Sequence, residues 1–199
     1  MNPLKSPWHT TIAGVILAII ISLLMGVPGN ALSLIVLIHV IVGIMWIGLL
    51  YYFNFVQVPA VNAAVADSDP GPAAINKYVA PRALWFFRWA ALLTWLTGLI
   101  GLTHIGGGLS GIVNAFTLNG GMAIIGVGAW LGTIMLFNVW VLIWPNQKKI
   151  LGLCDIAASA EEITKAKIVA LYASRANTLL SIPMLMSMVG HGHGGLLPL

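Results

Sequence analysis

Apolar runs of about 20 residues, the length a helix needs to cross about 30 Å of hydrocarbon, follow one another along most of this chain. Five runs qualify: Thr10–Val27, Ala31–Val56, Ala83–Thr103, Asn119–Trp144 and Val169–Val189. The pattern predicts an all-α fold, a polytopic membrane helix bundle with five transmembrane helices, forming one domain over residues 1–199. The breaks between runs differ in kind. Pro28-Gly29-Asn30 reads as a turn between spans, which argues against a cleaved leader. Gln57–Pro81 holds Asp67, Asp69, Pro70, Gly71 and Pro72 and is expected to be partly irregular, with a short helix near Ala73–Val79. His104–Gly111 is Gly-rich. Ser159-x-x-Glu162 is a capping-box pattern that should open a helix running on into the fifth span.

Charge gives these spans a direction. Lys5, Lys77, Arg82, Arg88, Lys148, Lys149, Lys165, Lys167 and Arg175 all fall in, or near the ends of, the N-terminus, the second break and the fourth break. All five acids fall there too. The opposite side carries no charged side chain. Basic residues stay cytoplasmic, so the N-terminus is expected inside and the C-terminus outside, in a bacterial inner (cytoplasmic) membrane. The basic pI of about 9.5 then reflects insertion and anionic lipid, not nucleic acid. An outer face with no ionisable side chain except histidine is a surface for another membrane subunit to cover.

Composition narrows the classes further. The chain is 59% hydrophobic, and one membrane domain of 199 residues leaves no room for a soluble catalytic domain. No internal repeat is visible, which argues against an inverted-repeat transporter. Cys154 is alone, so no internal disulfide forms, and no C-x-x-C-H motif offers covalent haem attachment.

This orientation sorts the histidines. His9 sits at the cytoplasmic end of the first helix. His104, His191 and His193 sit at outer ends. His39 lies inside the second helix, about eight residues or ~12 Å from its outer end. An ionisable residue within a span is a functional candidate, and histidine is the commonest protein metal ligand. His39, Gly43 and Trp46, spaced four and three apart, share one helix face. A glycine one turn from an imidazole leaves a flat slot of the kind a porphyrin needs, and imidazole is a standard haem ligand. The competing reading is that Gly43 lets two helices approach closely. Tyr51 and Tyr52 read as an inner aromatic belt.

The fifth helix repeats Ser174, Asn177, Ser181, Met184, Met188 and His191 at three- and four-residue steps, a stripe expected to face the bundle interior. His191 ends that stripe and is the preferred partner of His39, with His104 or His193 as alternatives. Met186, Met188, His191 and His193 form a rival set for copper, since thioether and imidazole favour Cu(I). Gly128-x-x-x-Gly132 on the fourth helix is a close-packing pattern. Arg88 and Arg175 are expected to snorkel to the inner interface, or to pair with an anionic group such as a haem propionate.

Several blocks together resemble a known family. His39-x3-Gly-x2-Trp-Ile-Gly-Leu-Leu-Tyr-Tyr-Phe-Asn-Phe-x-Gln57-x-Pro59 is similar to the membrane domain of bacterial urate oxidases (urate hydroxylases), which fuse a multi-helix membrane domain to a C-terminal cytochrome c. Trp85-x2-Arg88-Trp89-x4-Thr94, Asn138-Val-Trp140-x2-Ile-Trp144-Pro145-Asn146-Gln147-Lys148 and Ser174-Arg175-x-Asn177-x3-Ser181-x-Pro183-Met184 also fit. The second-helix motif is more distantly similar to haem-containing membrane oxidases of the protoporphyrinogen oxidase type. The resemblance implies a b-type-haem oxidoreductase. With no cytochrome c domain in the chain, electrons are expected to leave for a separate c-type cytochrome at the outer face. Two other readings stay open: a non-catalytic subunit of a larger membrane complex, and an outer-face copper protein.

Overall fold

The computed structural model describes residues 2–26 and 29–195. Val27 and Pro28, at the expected first turn, lie outside them. Among the described residues the regular structure is all helical, without strands. Five helices are long and apolar enough to cross a membrane: α1, Pro7–Leu24; α2, Ala31–Asp67; α3, Ile75–Ile105; α5, Ala123–Leu151; and α6, Ala160–Gly192. A short helix, α4, spans Leu109–Phe116 between α3 and α5. This is an integral membrane protein of five apolar helices. Among the connections, Gly106–Met122 holds no Lys, Arg, Asp or Glu.

The chain forms two compact units, Met1–Leu34 and Ile35–Leu199. In the first, Thr10 Oγ1 donates to the carbonyls of Pro3 and Ser6, closing the turn that opens α1. No residue of α1 is buried, and its apolar side chains are exposed on every side. That distribution suits a lipid-facing helix, because every surface can meet hydrocarbon.

The second unit holds the bundle. Its core is built from Trp46, Leu50 and Phe53 of α2, Leu84, Phe87 and Ala91 of α3, Met135, Val139 and Ile143 of α5, and Ala173 and Met184 of α6. Three helices run longer than the hydropathy predicts because they pass through proline rather than stopping at it. Proline lacks an N–H and crowds the carbonyl four residues back. Before each of Pro59, Pro81 and Pro145 the helix widens into a π turn, at Tyr52–Gln57, Ile75–Val79 and Asn138–Ile143. Such turns leave backbone groups that a membrane interior cannot hydrate. Asparagine side chains take up carbonyls beside them. Asn54 Nδ2 donates to Leu50 O at 2.9 Å, Asn146 Nδ2 to Leu142 O at 2.7 Å, and Asn177 Nδ2 to Met135 O at 3.0 Å.

The same polar groups join the helices. Asn54 Nδ2 also donates to Ser174 Oγ, and Asn138 Nδ2 to Asn177 Oδ1, both at 2.8 Å. Ser181 Oγ gives its proton to Thr178 O, so Tyr51 OH is the donor in the 2.9 Å bond to Ser181. Ser187 Oγ accepts from Gly128 N and donates to Ile124 O. The expected stripe on α6 faces inward: Asn177 and Ser181 are fully buried, Met184 nearly so, and Ser174, Met188 and His191 half-buried, with Ser187 fully buried beside them. Ser159 and Glu162 form the expected reciprocal cap at the start of α6. Lys149 and Lys165 pair with Glu162 and Glu161 beside it.

Candidate functional site around His39

His39 is half-buried on α2 and lies against α3. Its Nδ1 is 3.1 Å from Thr97 Oγ1. Thr97 has one hydroxyl proton, and that proton is already committed to helix carbonyls, Leu93 O at 2.7 Å and Thr94 O at 3.0 Å. With the threonine proton directed there, its oxygen is set to accept from a His39 Nδ1–H, the tautomer that leaves the Nε2 lone pair free. That is the arrangement a metal-bound histidine has, one nitrogen donating to an orienting group and the other free to ligate. Thr97 is the residue that the sequence reading left without a role.

Gly98 makes this approach possible. A Cβ at Gly98 would stand 3.2 Å from His39 Cε1, tighter than ordinary contact. A Cβ at Gly43 would meet Thr94 Cγ2 at 3.7 Å, ordinary van der Waals contact, so α2 faces α3 there with room for a methyl group beside the glycine. Trp46 continues the same face into the core at 2% exposure. Its Nε1–H is buried with no acceptor among the described residues.

The outer histidines stand apart. His104 is exposed, with Nδ1 2.9 Å from Ile100 O on its own helix. His193 is exposed too, with Nδ1 2.9 Å from Val189 O. His191 is half-buried. No hydrogen bond joins any of the three to His39 among the described residues. Helix α6 persists through Gly192, so Met186 and His193 lie on one face and Met188 and His191 on the other. The four residues of the copper set therefore do not share a face. Among the described residues no group of three or more His, Cys, Asp or Glu is placed to hold a metal ion.

Residues 109–196 match the family model described as urate oxidase N-terminal. The match runs from α4 through α6 and takes in the Asn138–Lys148 and Ser174–Met184 blocks. The His39–Pro59 and Trp85–Thr94 blocks lie outside it. No curated protein and no solved structure matches the chain.

Proposed function

We propose that this urate-oxidase-like membrane protein is a redox protein that binds one b-type haem through His39. The observation that carries the reading is the hydrogen-bond chain Leu93 O–Thr97–His39, which favours the Nδ1–H tautomer, the one with Nε2 free inside a span. When bound, haem supplies one-electron chemistry, its potential tuned by axial ligand and burial. The protein's own part is to hold the imidazole. Thr97 orients it, and Gly98 lets it lie against α3. His191, half-buried at the end of the α6 stripe, is the preferred second ligand. Electrons pass to an acceptor at the uncharged end of the bundle, for which a c-type cytochrome is the natural class. The setting is a bacterial inner membrane.

Two tests follow from the geometry. Thr97→Val removes the acceptor for Nδ1–H while keeping the side chain's shape. It should retain most of the haem but shift its reduction potential or spin state, read by redox titration and optical spectroscopy. An unchanged potential and spectrum would remove Thr97 from the site. For the second ligand, His191→Ala should lose the six-coordinate low-spin spectrum, while His193→Ala should keep it. If His104→Ala loses that spectrum and His191→Ala does not, the ligand comes from α3.

Orientation has its own test. A tag at the N-terminus should be protected in intact cells and a C-terminal tag accessible from outside. A cytoplasmic C-terminal tag would reverse the sorting of the histidines and the side on which the acceptor docks.

A further inference from the structure

At the basic end of the bundle Arg88 has an unusual setting. Its guanidinium lies 3.7 Å from the centre of the Trp144 ring and 5.9 Å from that of Trp140. Nε and Nη1 are covered by protein and have no hydrogen-bond acceptor. The residue as a whole is only half-buried, so part of its edge stays open. No carboxylate pairs with it among the described residues, where the ion pairs join Lys149 to Glu162 and Lys165 to Glu161. Lys148 stands over the same Trp144 ring at 5.7 Å and also lacks a carboxylate partner among those residues. Two cations thus share one indole with no carboxylate paired to either among the described residues. A cation within a span is costly unless something answers its charge.

An apolar groove of about 420 Å³ adjoins this point through Trp140. It runs along the α3–α5 face, lined by Trp89, Leu92, Trp95, Leu136, Phe137 and Trp140, among others. Trp140 belongs to both features: it lines the groove, and its Nε1 donates to Arg88 O at 3.2 Å. Trp95 Nε1 likewise donates to Thr133 Oγ1 at 2.9 Å. With both indole N–H groups satisfied internally, these two rings offer the groove hydrocarbon-like surface. A pair of cations beside an open apolar groove complements one kind of molecule, an acyl chain carrying a negative head.

We infer that the α3–α5 groove, adjoining Arg88, Trp144 and Lys148, binds an anionic phospholipid, its acyl chain along the indoles and its phosphate against the two cations. The inference is independent of haem. Stacking on Trp144 holds the guanidinium in place before the phosphate arrives, so little side-chain freedom is lost on binding.

The test uses the full chain purified into nanodiscs of phosphatidylcholine with a minor share of phosphatidylglycerol, with retained lipid counted by native mass spectrometry. Wild type should retain phosphatidylglycerol over phosphatidylcholine. Each cation should be worth about fivefold, as expected for a basic residue near an anionic headgroup. Lys148→Gln and Arg88→Gln should each lose about that factor. Arg88→Lys should keep part of it, and Lys165→Gln, whose ammonium is engaged by Glu161, should keep all of it. Lys148→Gln decides the matter should Arg88→Gln fail to fold. Equal retention of the two lipids by wild type, or unchanged preference in Lys148→Gln, overturns the site. Full displacement of the lipid by inorganic phosphate would also overturn it, by showing that the cations take the anion without the chain.

Discussion

His39→Ala is expected to strip b-type haem from the purified protein, whereas His9→Ala should leave haem content unchanged. The two residues differ in position rather than chemistry. His9 is exposed on α1. His39 is half-buried within α2, with its Nδ1 proton held by Thr97. Removing the imidazole deletes the ligating nitrogen and leaves the Thr97 hydroxyl without its donor. The expected loss is most of the bound haem, measured as pyridine haemochrome per mole of protein. Circular dichroism on the same samples separates loss of ligand from loss of fold. Equal haem in His39→Ala and wild type would remove His39 from the ligand set.

The second large effect concerns packing. Gly126→Ala should destabilise the bundle by about 3 kcal/mol, the upper part of the usual range for overpacking. A Cβ at Gly126 would stand 2.9 Å from the Ala115 carbonyl carbon and closer still to its oxygen. Backbone cannot rotate aside as a side chain can, so α4 must move off α5. Gly111→Ala is expected to behave similarly, since its Cβ would meet Gly106 Cα at 2.8 Å and Leu102 C at 3.0 Å. Gly132→Ala is the control. Nothing lies within 4 Å of a Cβ there, although the residue is buried. Replacing a mid-helix glycine by alanine should then be neutral or stabilising by up to about 1 kcal/mol. Thermal midpoints in one detergent compare the three. A Gly126→Ala variant as stable as Gly132→Ala would mean that α4 does not sit where it is placed.

These two predictions also mark what the sequence made legible. Five spans and the inward stripe of α6 followed from hydropathy and three- and four-residue spacing, because both depend on local composition. The ends of the spans did not. The hydropathy runs break off at Val56, Ala83 and Trp144, yet each helix continues past Pro59, Pro81 or Pro145 by widening one turn, and asparagines compensate beside the openings in α2 and α5. Helix α4 was missed because its eight residues follow a glycine run that reads as a loop. Gly128 and Gly132 looked equivalent, but Gly128 alone meets a neighbour: its Cβ would stand 3.0 Å from Ser187 Oγ. Spacing places residues on a face but does not say what stands opposite. The same limit applies at the site. His39 was visible as an ionisable residue within a span. Its partners Thr97 and Gly98, some 60 residues away, were not.

Haem ligation by His39 is tested most directly by the absorption spectrum of the detergent-purified wild-type chain. The expected result is a Soret band with a reduced-minus-oxidised b-type signature, at about one haem per chain. A protein purified from haem-replete cells with no Soret band would contradict it and leave a haem-free subunit of a larger membrane complex as the better account.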